Sequence, residues 1–547
     1  MIAPAMLLIA LALVQSTLAT PTLFPRQAGI VPPNSTVSLD PAYPTNVGFL
    51  GPTKAGQAPF LAETDRINTT CPKTGASIEL RYTPLNGTAP CNNGSDNITS
   101  SSTPIAQLWG NTSPYFPSPI FPKTQKYRQI DEQCTIEKVI IIHRHGSRYP
   151  TSSPTEGAPY FGQLIANATA AKNLSVSGPL AFLSNWTYKL GAELLVPQGA
   201  QEEFNSGIKH YYDYGALYNE TKNLAKPVIR TTSESRMLES AQYWTAGFFG
   251  LNAPNMIDLQ VILEGDGFNN TLAPYDTCNN SNTITVGDTY LTPVWEKIYL
   301  KDAAARLQKY VQSGFNVTTK EAYGMQSLCA YETVGLGYSQ FCELFTEEEW
   351  KGFEYFLDLQ FQGDYGFMSP NGKAQGIGLA QDILARLTNS TVPADQVTTQ
   401  NTTILPVPNN QTIYADFTHD DNVLSTLTAL NFTQVAGEYL PANSMDERRT
   451  FVLSHITPFA ARLVFEIASC KGSDEKIIRT ILNDALVPMD EGQGCAGHAN
   501  GTCNLNDFIK YQNENAYKAA NFDTACFGTN GTDFTITGPS TRNGTVG

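Results

Sequence analysis

Residues Val139–Thr151 read VIIIHRHGSRYPT. The β-branched run Val139 to Ile142 is the pattern of a strand buried on both faces. It stops at Arg144-His145-Gly146, and Pro150 closes the segment. Two arginines and a histidine therefore lie on a loop beyond a strand's carboxyl end, where open α/β sheets bind ligands. Guanidinium groups present planar forked donors that fit phosphate oxygens and stay charged at any working pH. Between them, His145 offers a ring nitrogen able to attack phosphorus. Gly146 leaves room for the backbone to approach a ligand closely. The competing reading, a surface turn that happens to be basic, has to be weighed against the rest of the chain.

Two further apolar runs end in the same kinds of residue. Pro227-Val228-Ile229-Arg230-Thr231-Thr232-Ser233 is followed by an amphipathic helical pattern from Ser235 toward Phe249. The simplest reading delivers Arg230 to the sheet edge that holds His145 and leaves Arg236, a turn into the helix, a structural role. Ile413-Tyr414-Ala415-Asp416-Phe417-Thr418 runs into His419-Asp420-Asp421. His143 and His210 read as packing residues. His455 and His498 have no neighbourhood that argues chemistry.

R-H-G-x-R-x-P at Arg144–Pro150 resembles the signature of the histidine acid phosphatases, the family containing the fungal phytases. The resemblance recurs at Gln107-Leu108-Trp109-Gly110 with Tyr115-Phe116, at Gln198–Gly207, at Phe341–Thr346 and at Gln375–Gly378. His419-Asp420 resembles the family's His-Asp doublet. Arg230 is similar to its third phosphate-binding arginine in R-x-S-x-S-x-R-V, a looser match, with Thr232 and Glu234 at the serine positions and Met237 at the valine. The likeness covers about Ile105 to Phe527.

The resemblance implies a phosphoglycerate-mutase-like α/β domain, a mixed central sheet flanked by helices, with a smaller helical domain. Residues 105–165, 222–265 and 396–547 are assigned to the first and 166–221 and 266–395 to the second. It also implies roles. Arg144, Arg148 and Arg230 cradle the phosphoryl group, with His419 as a further donor. His145 attacks in line to form phosphohistidine, and Asp420 protonates the leaving alcohol; Asp421 is the competing acid. No metal or cofactor is called for. The order of cysteines, similar to that of the fungal phytases, implies Cys71–Cys91, Cys134–Cys470, Cys278–Cys526, Cys329–Cys342 and Cys495–Cys503; composition alone leaves the pairing open.

Composition bounds the setting. A formal charge of -15 over 547 residues argues against a general nucleic-acid binder. The apolar core Met6 to Val14, followed by small residues up to Ala19, reads as a signal peptide over 1–19. No other stretch is long and apolar enough to span a bilayer. Residues 20–104 read as a glycosylated arm, rich in Pro, Gly, Asn, Ser and Thr. About twenty Asn-x-Ser/Thr sequons, from Asn34 to Asn543, and ten cysteines without a Cys-x-x-Cys spacing agree with secretion, N-linked glycans and disulfides. Secretion argues against a mutase of the same superfamily.

The function expected is a secreted acid phosphatase acting on small phosphomonoesters, of broad specificity with phytate among its candidate substrates. A dedicated 3-phytase is the alternative, and a non-catalytic phosphate-ester binder on the same fold is the alternative of another class. The substrate argument rests on missing lysines. Ser152–Pro159 and Leu359–Asp364 carry none, where fungal phytases resembling this chain place lysines. Lys209 and Lys373 remain as cations that could reach the pocket by another route.

Overall fold

The computed structural model describes residues 54, 56, 104–155, 157–218, 226–265, 268–393, 395–396, 411–495, 500–536 and 542–546. The expected signal peptide, most of the arm and the Cys71–Cys91 pair lie outside them.

The apolar run that dominates the sequence is the middle of β1 (Cys134–Arg144), whose last six residues are all buried. Six more strands build the sheet around it. These are β2 (Val228–Thr232), β3 (Asp258–Ile262), β4 (Ile413–Thr418), β5 (Arg462–Cys470), β6 (Lys476–Leu482) and β7 (Thr502–Asn504). Their order is β7-β6-β5-β1-β4-β2-β3, with the short Ala485–Leu486 strand paired to β6. β1 pairs parallel with β4 and antiparallel with β5, and β4-β2-β3 continue in parallel. The sheet is therefore mixed, as expected.

Helices cover both faces. On one, α2 (Pro197–Tyr214) and α3 (Ser235–Phe249), which follow α1 (Gly157–Ala170), lie against each other. Trp244, Met237 and Tyr214 there join Val139, Ile141 and Phe417 in one apolar cluster. On the other face, Ile140 and Ile142 join a larger cluster. Its helices include α4 (Thr319–Leu336), α5 (Glu347–Asp364), α6 (Gly372–Thr388), α7 (Asp420–Ala429) and α8 (Leu505–Ala520). Alternate β1 residues thus feed separate cores, which is why the run is apolar without alternation. Capping boxes at Thr318–Glu321 and Thr346–Glu349 start α4 and α5. Trp109 is fully buried 6.2 Å from Trp350, a packing anchor.

Four disulfides join Cys134–Cys470, Cys278–Cys526, Cys329–Cys342 and Cys495–Cys503, the expected pairings among the described cysteines. The first ties the start of β1 to the end of β5, whose register already sets those two residues opposite each other. No helix among the described residues is long and apolar enough to cross a membrane.

Loop length ranks these links. Cys134 and Cys470 are 336 residues apart and Cys495 and Cys503 only 8. Chain entropy favours the long closure by about 3 kcal/mol. Thermal melts of the paired serine variants should show the larger loss for Cys134→Ser/Cys470→Ser; equal losses contradict the ranking.

Candidate active site

The parallel register decides what meets at the sheet edge. Arg144, the last residue of β1, stands opposite Thr418, the last of β4. His145 and His419 therefore leave adjacent strands side by side, their ring centroids 5.9 Å apart. Neither is a solvent-edge residue: His145 is 1% and His419 4% exposed.

The loop after β1 is held by α2. Ser147 N and Oγ both donate to Glu202, at 2.8 to 3.0 Å. A side chain on Gly146 would meet the carbonyl oxygen of Gly199 at 2.4 Å, and one on Gly199 would meet that of Ser147 at 2.1 Å. The room left by Gly146 is thus taken by the backbone of α2, not by a ligand as the sequence reading had it.

His145 Nδ1 lies 2.8 Å from the carbonyl oxygen of Gly146. A carbonyl only accepts, so Nδ1 carries the proton and Nε2 keeps its lone pair. Burial, then the charges of Arg144, Arg236 and Arg148, holds the His145 pKa well below the ordinary value. The ring is neutral and nucleophilic at any mildly acidic pH. Arg144 anchors the loop through Nη1 to the Thr457 carbonyl at 2.7 Å and to the carbonyl of Asn111, and its Nη2 pairs with Asp420 at 2.8 Å. The Nε atoms of Arg144, Arg148 and Arg236 are buried donors without a protein partner.

Arg230 is not at this edge. It sits in mid-strand opposite Asp416, two residues short of the end of β4. Its Nε and Nη2 donate to Asp416 at 2.8 and 2.6 Å, and its Nη1 to Asp382 at 3.0 Å. Arg386 completes the buried cluster, 2.7 Å from Asp416. These carboxylates satisfy Arg230 below the site, so the expectation that it binds phosphate is corrected. The third guanidinium about His145 belongs to Arg236, in the first turn of α3, which the sequence reading treated as structural. Glu193 and Glu234 hold it at 3.1 and 2.5 Å. The available signal was length: β2 runs to Thr232, which puts the helix start and not mid-strand over the sheet edge.

His419 precedes α7 with its Nε2 3.2 Å from Glu264 and 3.7 Å from Glu234. Burial works against its charge, yet Glu264 and then Glu234 override it and raise the pKa. Tyr275 closes this group, its hydroxyl donating to Glu264 and lying 3.3 Å from His419 Nε2. Glu264 and Tyr275 escaped the sequence reading because neither sits in a motif. Glu234, Glu264 and His419 offer ligand atoms within 4.8 Å of one another, but Arg236, Tyr275 and the His419 imidazolium already engage them.

Asp420 opens α7. Burial would raise its pKa, but Arg144, the Asn111 amide and Arg148 hold it below the usual value. Asp421 differs: burial, aided by the Asp420 charge, pushes it up to about 6.

His143 and His210 behave as packing residues. His143 Nδ1 lies 2.7 Å from the Arg144 carbonyl and its Nε2 2.7 Å from Ser206 Oγ. Burial lowers its pKa to about 3 and raises that of neighbouring Glu203, so their 3.3 Å contact joins two neutral groups. His210 Nδ1 accepts from Trp244 Nε1 at 2.9 Å.

Residues 135–483 match the model of the histidine phosphatase superfamily, branch 2. Phytase A of Aspergillus oryzae is 32% identical over 427 residues, covering 74% of this chain and 88% of the relative. Phytase A of Aspergillus fumigatus is 33% identical over 426 residues, covering 74% and 87%. Among solved structures, the phytase from D. castellii superposes with a TM-score of 0.63 at 24% identity, over 80% of this chain and 92% of that one. The chain belongs to the histidine phosphatase superfamily, branch 2. It is a phosphomonoesterase hydrolase of the histidine acid phosphatase and phytase group.

The two arginines separate cleanly by experiment. Arg230→Ala leaves a buried carboxylate cluster short of a cation and should destabilise the fold by about 3–5 kcal/mol. Arg236→Ala strands Glu193 and Glu234 and should cost stability too, but its folded enzyme should lose at least about 100-fold in kcat/KM, whereas folded Arg230→Ala should keep most of its activity. Melting and steady-state rates on both variants decide it, and the reverse pattern restores Arg230 to the site.

Proposed function

We propose that this chain is a secreted acid phosphatase of broad specificity working through a phosphohistidine intermediate. The observation that carries the mechanism is His145, neutral, with Nε2 free and three guanidinium groups around it. A phosphoryl group in flight spreads charge over its equatorial oxygens, and fixed cations stabilise that charge without reorganising. Arg144, Arg148 and Arg236 are suited to that task, with the His419 imidazolium as a fourth donor. Nε2 attacks phosphorus, the ester P–O bond breaks, and the proton of Asp420 goes to the departing alkoxide. Asp420 then takes a proton from water as water displaces His145.

The charge on Asp420 sets the pH dependence. In the empty site Arg144 holds it ionised. A bound phosphoryl group engages Arg144 and brings negative charge, both of which favour protonated Asp420. The general acid is lost as pH rises, giving an acidic optimum. Asp420→Asn should slow esters with poor leaving groups by about 100-fold or more and activated aryl esters far less. Asp421→Asn should cost much less. Acid-labile, base-stable label trapped on His145 after quenching supports the nucleophile; label on a serine or cysteine removes it.

For substrate, the charge balance favours breadth. Arg144, Arg236 and His419 each face a carboxylate of their own. Lys209 is engaged with Asp213 and Asp484 at 2.6 and 3.2 Å, and Lys373 lies 3.4 Å from Asn431. Neither is an unengaged cation for the further phosphates of phytate. The relatives named Phytase A keep a dedicated phytase as the second reading. Specificity constants at acidic pH should not favour phytate over a simple aryl phosphate, and a clear preference for phytate selects the second reading. The apolar leader, the sequons and the disulfides support secretion and N-linked glycans.

A further inference from the structure

Asn111 joins the two groups whose coupling the reaction depends on, although it belongs to no catalytic motif. It lies in the short 3-10 turn Gly110–Thr112. Gly110 begins that turn at φ 54, and its N–H donates to Glu354 Oε2 at 2.6 Å. Trp109, fully buried, fixes the other side. From this anchored turn the Asn111 carbonyl accepts from Arg144 Nη1, while its side-chain Nδ2 donates to Asp420 Oδ2 at 2.7 Å. Arg144 Nη2 meets the same carboxylate oxygen at 2.8 Å. Arg144, Asp420 and Asn111 form a closed ring of contacts. Asn111 Oδ1 is a buried acceptor with no donor, so among its described polar contacts the amide is oriented by Asp420 alone.

We propose that Asn111 is the positioning residue for the proton donor, and that its sequon must escape glycosylation in active enzyme. The first half rests on reading Asp420 as the general acid. An Asn amide holds the carboxylate by a neutral hydrogen bond, fixing its rotamer toward the leaving oxygen while the unpartnered Nε of Arg144 is left for the phosphoryl group. The second half follows from chemistry: Asn111-Thr112-Ser113 is an Asn-x-Ser sequon, and a glycan would be attached at Nδ2 itself. A sugar there would stand against Asp420, in the space the leaving group needs.

Asn111→Ala and Asn111→Asp remove the donor, and Asp adds a like charge at nearly constant shape. Both should lower kcat for a poor-leaving-group ester about 10-fold or more, with little change for an activated aryl ester. The alkaline limb of kcat should move to higher pH by up to about one unit, further for Asp than for Ala. Asn111→Gln, which keeps the amide, should recover part of both. In an Asp420→Asn background Asn111→Ala should add almost nothing. A uniform loss for both esters with an unmoved limb, or additivity in the double variant, overturns the positioning role. If Asp420→Asn alone shows no leaving-group dependence, it is the assignment of Asp420 that fails. Glycopeptide mass spectrometry of secreted enzyme should find Asn111 bare in the active fraction; a glycan on Asn111 in fully active enzyme overturns the second half.

Discussion

The contact on which the site depends is the ion pair between Arg144 Nη2 and Asp420 at 2.8 Å. It joins the end of β1 to the first turn of α7, segments far apart in the chain. The pair forms because β1 and β4 run parallel in a register that ends both strands at one level. A slip of one residue would turn the whole of β1 over, exchanging the residues that feed the two apolar clusters. Core packing and catalytic geometry are thus set by the same alignment. The antiparallel partner β5 fixes β1 from the other side along most of its length.

Charge in this site is layered. At the sheet edge Arg144, Arg236 and Arg148 gather about His145. Below them, Arg230, Arg386, Asp382 and Asp416 form a closed cluster in which every charge is matched. A buried, fully paired cluster adds little net stability by itself but is costly to break. It gives the edge a rigid floor. The carboxylates Glu193, Glu234 and Glu264 work sideways, fixing Arg236 and the His419 imidazolium as oriented donors before substrate arrives.

How much of this was legible in the sequence follows from what each signal encodes. The strand–loop at Val139–Thr151 and the doublet at His419-Asp420 carry the proposed nucleophile, two arginines and the proposed acid on contiguous residues, and the parallel register brings both segments to one sheet edge. The cysteine order was equally informative for the four described bridges. Arg230 against Arg236 went wrong because a strand followed at once by a helix offers two arginines six residues apart, and only the register with β4 says which one clears the edge. Asn111, Glu264 and Tyr275 were invisible for another reason: each comes from a loop whose approach to the site is decided by tertiary packing. Gly146 was singled out correctly but explained by the wrong neighbour, since the sequence does not show that α2 arrives there with Gly199.

The bridge between Cys134 and Cys470 also constrains how the chain is made. A ribosome adding about 5–20 residues each second needs on the order of half a minute to travel from one cysteine to the other. During that interval Cys134, at the start of the central strand, has no partner, and Cys278, Cys329 and Cys342 emerge before Cys470 does. Cys329 and Cys342, 13 residues apart, can close early. Cys278 waits for Cys526, 248 residues on, so its partner emerges after Cys470 has. Two unpaired thiols therefore coexist for much of synthesis, and their premature union would staple the central strand to a loop beyond β3. Yield of native protein then depends on disulfide exchange in the folding compartment, a burden set by where the sheet draws its fourth and fifth strands from.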